Sequence, residues 1–172
     1  SAMDFAAKSA KFPISILMPT IWRQDEKLYN AVLLIENGEI VQKRFKHRLP
    51  NDDVFYEKRY FAPGPRPEPV KIHGVSIGVP ICEDIWSSEV CKALKEGGAE
   101  LLLCPNGSPY WHDKQFLRFA VARARIKETG LPMLYLNQVG GQDELVFDGA
   151  SFIVDGKRKL RQQAPAYRGL SV

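Results

Sequence analysis

Short apolar strands alternating with helical segments predict a layered α/β domain. Three observations carry that prediction. Val75–Cys82, Leu101–Cys104 and Met133–Leu136 are apolar runs of strand length, as expected of strands buried on both faces. Helical segments from Ser87 to about Glu96 and from Asp113 to about Thr129 separate them. Asn37-Gly38 and Asp155-Gly156 mark tight turns between further strands.

In chain order, residues 1–12 are small and helix-compatible, and read as a leader or a cloning remnant. Ile14–Met18 is a buried strand closed by Pro19. Tyr29–Ile35 and Ile40–Arg44 flank the Asn-Gly turn as a hairpin. Residues 48–69 hold five prolines and read as one long irregular loop, a length usually kept for function. Ser87 is placed to cap its helix, and Gly97-Gly98 to stop it. In the second helix Phe116, Phe119, Ala120, Arg123 and Ile126 alternate burial with charge, and Gly130 and Pro132 end it. Ala150–Val154 and Lys157–Leu160 are the last strands, with 167–172 as a tail.

The 172 residues, 45% hydrophobic and 26% charged, suit one globular domain rather than a disordered or fibrous chain. No apolar run approaches the roughly 20 residues of a membrane helix, and no basic-then-apolar leader opens the chain. The expectation is a cytoplasmic protein without membrane contact. The net charge of +4 comes from basic residues spread thinly along the chain, with two small clusters, Lys43, Arg44, Lys46 and Arg48, and Lys157, Arg158, Lys159 and Arg161. Neither interleaves aromatics, so both read as solvated loops and strand edges, and no nucleic-acid partner is expected. Cys82, Cys91 and Cys104 lack metal-ligand spacing and leave at least one thiol unpaired; no metal is expected.

Cys82 is the chemically interesting thiol. It closes a buried strand where the chain turns sharply toward a helix, a placement that presents a nucleophile at a sheet edge. Cys91 and Cys104 read as core. Around Cys82, the stretch GVPICEDIW (78–86) resembles the nucleophile motif of the nitrilase superfamily, the carbon–nitrogen hydrolases. Its EDIW ending is similar to the branch formed by the glutaminase domain of glutamine-dependent NAD synthetases. KHRLPNDDVFYEKRYF (46–61) resembles that branch's lysine motif, NGSPYWHDK (106–114) its substrate loop, and LPMLYLNQVGGQDELVFDGASF (131–152) its signature. The four blocks keep their order between about Tyr29 and Ala166.

The resemblance implies a four-layer α-β-β-α sandwich, incomplete at the N-terminus, with residues 13–166 as the partial glutaminase domain. It implies that Cys82 attacks the side-chain amide of L-glutamine and releases ammonia from a thioester, while Lys46 stabilises the oxyanion. Glu57 would orient the lysine and substrate. Ser108 and Lys114 would hold the α-amino and α-carboxylate ends, Glu83 would shape the pocket, and the loop 139–144 would border it. Asp52, Asp53 and Tyr56 stand where the lysine motif has Tyr, Gly and Asp; Asp52 therefore adds negative charge beside the substrate. The family's general-base Glu lies before every motif found here, so a fragment lacking its base, and inactive alone, is expected. The synthetase half, with its ATP-pyrophosphatase loop, is also unmatched. No cofactor is expected in this domain, ATP and Mg belonging to that half; its partners would be the synthetase domain and further copies of itself. The alternatives are another amidase of the superfamily and a non-catalytic assembly module.

Overall fold

The computed structural model describes residues 1–52 and 55–169. Ser1 caps helix α1 (Ala2–Ser9): its hydroxyl accepts the Asp4 N–H, and Asp4 takes the terminal ammonium. Strands β1 (Ile16–Gln24), β2 (Lys27–Glu36) and β3 (Glu39–Phe45) then form an antiparallel sheet in that order. Each connection is a two-residue turn at positive φ, Asp25-Glu26 (48° and 62°) and Asn37-Gly38 (51° and 86°). β1 runs through Pro19 instead of ending there. It lies at the sheet edge, where a missing N–H need not cost a ladder bond.

The expected loop 48–69 holds β4 (Asn51–Asp52), β5 (Phe55–Tyr56) and a 3-10 turn at Glu57–Arg59, but is otherwise irregular. A hairpin of β6 (Val70–Ile72) and β7 (Val75–Gly78) follows, turning over His73-Gly74 at φ 49° and 84°. β7 stops at Gly78, short of the expected Cys82; Pro80 offers no N–H to a ladder. The remaining elements are α2 (Ser88–Glu96), β8 (Leu101–Asn106), α3 (Lys114–Thr129), β9 (Met133–Asn137), β10 (Val139–Gln142), β11 (Leu145–Asp148), β12 (Phe152–Val154) and β13 (Leu160–Gln163). The expected loop at 139–144 is thus half of the β10–β11 hairpin. The strand expected at 157–160 starts only at Leu160, because Asp155 Oδ1 gathers the N–H groups of Lys157 and Lys159 into a turn.

Strands β13-β12-β9-β8-β7-β6 form one sheet in that order, parallel across β7–β8–β9. Val32 and Leu34 of β2 pack against Val70, Val79 and Ile81 between the two sheets. α1 covers the outer face of the small sheet, setting Ala6 on Leu33 and Ile35. α2 and α3 cover the outer face of the large one through Val90, Leu94, Ala122 and Ile126. The layer order is therefore α-β-β-α. β2 reads as an unbroken apolar run at 31–35 because both of its faces are covered.

Two further sequence expectations need correction. The helix α3 buries Arg118, Ala122, Ile126 and Thr129, and leaves Phe116 76% exposed. Phe119 and Ile126 of the expected stripe do pack on the core, but Phe116 does not, because the Arg118 guanidinium takes the inward position in the first turns. Of the first basic cluster, Arg44 and Lys46 are buried rather than solvated, each beside a carboxylate. Among the described residues no helix is long and apolar enough to cross a membrane, and no three His, Cys, Asp or Glu gather as a metal site.

Candidate active site

Cys82 opens a four-residue 3-10 turn (Cys82–Ile85) at φ 47°, a left-handed conformation that costs a non-glycine residue about 1–2 kcal/mol. Such strain lifts the side chain out of the extended segment before it, as at a nucleophile elbow. α2 starts only at Ser88, and the Ser87 side chain makes no capping bond, so the cap is positional.

Lys46 directly follows β3. Its N–H donates to Asn30 O at 2.8 Å, and its carbonyl accepts from Gly64 N–H at 2.7 Å. With its backbone held on both sides, the 1%-exposed side chain reaches the Glu57 carboxylate, Nζ to Oε1 2.7 Å. A Cβ on Gly64 would sit 2.7 Å from the Phe45 carbonyl oxygen, so only glycine lets this strand crossing close. Lys46, Glu57 and Cys82 line one cavity of about 470 Å³ with Asn30, Asn106, Asn137 and Gln138. Glu57 Oε2 is buried with no hydrogen-bond partner among the described residues.

A second cavity, of about 530 Å³, shares Cys82 and Phe55 with the first. Glu83, Ser108 and Lys114 line it with Trp86 and Trp111. The Lys114 ammonium lies 5.0 Å from each of the two indole rings, a cation–π arrangement that holds the charge at the cavity wall. Ser108 is buried. Its hydroxyl accepts from Arg118 Nε at 3.1 Å, and its N–H donates to Asn137 Oδ1 at 2.8 Å. Sequence reasoning thus places its residues in two adjoining chambers that meet at Cys82. Asp52 is described through its backbone alone, in β4, and Asp53 lies outside the described residues. Tyr56 lies in β5, 61% exposed.

Burial pushes the Cys82 thiol above its ordinary range. Lys46 and a hydrogen bond from the Gly107 N–H pull it back, while Glu57 and Glu83 push it further. Burial lifts Cys91 to about 12 and Cys104 well above the usual thiol range, and both are fully covered. Cys82 alone of the three therefore opens onto a cavity with a cation beside it.

The residue that the sequence reading passes over is Asp84, inside the nucleophile motif and 0% exposed. Its Oδ1 accepts the N–H groups of His47 (3.1 Å) and Arg48 (2.7 Å), and its Oδ2 accepts Ile81 N–H (2.9 Å) and Arg44 (3.2 Å). One carboxylate thus ties the Cys82 turn to the segment carrying Lys46. The signal for it is the second of two adjacent acidic residues, Glu83 and Asp84, in a mostly apolar stretch.

The profile of the carbon–nitrogen hydrolase family matches residues 2–169. A glutamine-dependent NAD(+) synthetase of Rhodobacter capsulatus is 49% identical over 139 residues, which are 81% of this chain and 25% of that protein. The structure of the glutamine-dependent NAD+ synthetase from Acinetobacter baumannii superposes with a TM-score of 0.90 at 33% identity, covering 97% of this chain and 32% of that one. A carbon–nitrogen hydrolase from Helicobacter pylori gives 0.84 at 26% identity, covering 94% of this chain and 61% of that one. The chain spans about a quarter to a third of the synthetases' length. With the family profile matched over residues 2–169 and the α-β-β-α layers in place, the chain belongs to the carbon–nitrogen hydrolase family.

Proposed function

We propose that this chain is the glutaminase part of a glutamine-dependent NAD synthetase, in which Cys82 cleaves the side-chain amide of L-glutamine to ammonia. The observation that carries the reading is the meeting of two chambers at Cys82. One holds the Lys46–Glu57 pair, suited to the reacting amide; the other holds Lys114 and Glu83, suited to the charged end of an amino acid. Attack by the Cys82 sulfur on the amide carbon places negative charge on the amide oxygen. Lys46 is the cation that stabilises it; collapse of that intermediate breaks the carbon–nitrogen bond, and the nitrogen leaves with a proton as ammonia. Water then hydrolyses the thioester to glutamate.

Proton transfer needs a base. In the Lys46 chamber Glu57 is the carboxylate among the described residues, and it is committed to Lys46. A further carboxylate is therefore proposed to complete the site, and residues 1–172 by themselves are expected to release negligible ammonia. The test compares this polypeptide with the natural full-length one on glutamine, aliphatic amides and nitriles. The full-length protein is expected to prefer glutamine, and its Cys82→Ala variant to use free ammonia but not glutamine. Glutamine use surviving in Cys82→Ala sinks the reading; preference for aliphatic amides moves the chain to the amidases of the same family.

A further inference from the structure

The sequence sets a cation, Lys114, at the first position of α3, where the helix dipole opposes it. Its ammonium lies over two indole rings, 5.0 Å from the centroid of Trp86 and 5.0 Å from that of Trp111. The rings belong to different parts of the fold. Trp86 closes the 3-10 turn that Cys82 opens, its N–H donating to Glu83 O at 3.0 Å. Trp111 precedes α3, and its carbonyl accepts the Lys114 N–H at 3.0 Å. The two tryptophans are 38% and 46% exposed, so neither serves chiefly to fill the core. They line instead the chamber of about 530 Å³ that Lys114 and Cys82 also line. An ammonium on a four-carbon stem has a wide reach. Here one ring beneath it is carried by the same turn as the sulfur. The separation of Lys114 Nζ from Cys82 is therefore set by an indole face and not by the stem alone.

We propose that Trp86, together with Trp111, is a positioning residue that fixes the Lys114 ammonium at one distance from Cys82 and so selects the length of the substrate. An amino acid whose carboxylate sits on that ammonium brings its side-chain amide to the sulfur only if its chain is as long as that of glutamine. Asparagine, one methylene shorter, falls short. The proposal rests on the cleavage of glutamine by Cys82, but its test reads ratios between substrates and between variants.

The experiment measures kcat and KM for glutamine and asparagine in the natural full-length protein. It compares native protein with Trp86→Leu, Trp86→Phe, Trp111→Leu, Lys114→Met and the double variant of Trp86→Leu with Lys114→Met. Trp86→Leu is expected to raise KM for glutamine about two- to fivefold with kcat little changed, the worth of one cation–π contact at a half-exposed site. The glutamine-to-asparagine ratio of kcat/KM should fall by the same factor, since asparagine does not engage the ammonium. Trp86→Phe keeps a ring face and should recover part of the loss. Trp111→Leu should act in the same direction, and serves where Trp86→Leu does not fold. In the Lys114→Met background Trp86→Leu should cost nothing more, because the two residues act through one contact. A native KM in Trp86→Leu, equal losses on glutamine and asparagine, or additive losses in the double variant overturn the proposal alone. A native protein that does not cleave glutamine removes the proposed function, and this proposal with it.

Discussion

Asp84→Ala is expected to destabilise the protein by about 3–5 kcal/mol, the range for removing one partner of a buried ion pair. The size follows from what is left behind. Arg44, 5% exposed, loses the carboxylate 3.2 Å away, and the N–H groups of Ile81, His47 and Arg48 lose their acceptor together. Unsatisfied buried donors each cost roughly 1–3 kcal/mol, although Arg48 and His47 are near enough to solvent to recover part of that. Against a total stability of about 5–15 kcal/mol the loss is severe. Denaturant unfolding monitored by tryptophan fluorescence measures it. Adding Arg44→Met should restore part of the loss, because the uncompensated charge is then gone while the orphaned N–H groups remain. A loss below about 1 kcal/mol for Asp84→Ala would show that the carboxylate is not the tie between the two segments.

The second large effect is on chemistry. Lys46→Met keeps the stem of the side chain and deletes its charge, so under the proposed function glutamine hydrolysis by the full-length protein should fall about 10²–10³-fold. The fall should appear in kcat with KM little changed, since the ammonium acts on charge that develops only after attack. The same variant should shift Cys82 alkylation to higher pH. Burial already pushes the thiol up and Lys46 is the main influence opposing it, so its removal lets the pKa rise further and leaves less thiolate at any given pH. Steady-state kinetics and the alkylation profile check the two halves separately. Unchanged kcat with a shifted thiol would confine Lys46 to activating the sulfur. No change in either would remove it from the site.

Much of this arrangement is legible in the sequence where local rules decide. The Asn37-Gly38 turn, the core run at 31–35 and the helix from Lys114 to Thr129 follow from short-range pattern alone. The strand-end placement singles out Cys82, but Lys46 and Glu57 are legible only through motif resemblance, because nothing in residues 46–57 indicates that the chain returns to place the lysine on the carboxylate. The missed elements share a physical cause. Asp84 and Arg118 are charged residues buried by long-range partners, 36–40 and 10–30 residues away, so a hydrophobicity pattern reads them as surface. The shortened β7 is missed for the opposite reason: Val79 and Ile81 are as buried as strand residues, but burial does not require a ladder partner.

The depth at which the three thiols lie has a practical consequence. Cys91 and Cys104 are sealed in the helix-side core, with their ionisation pushed far above neutral pH. Toward a soft electrophile the folded molecule is a single-cysteine protein without any cysteine having been removed. A fluorophore or spin label offered at mildly alkaline pH would attach at Cys82 alone, at the junction of the two chambers. It would turn the candidate active site into its own reporter of occupancy.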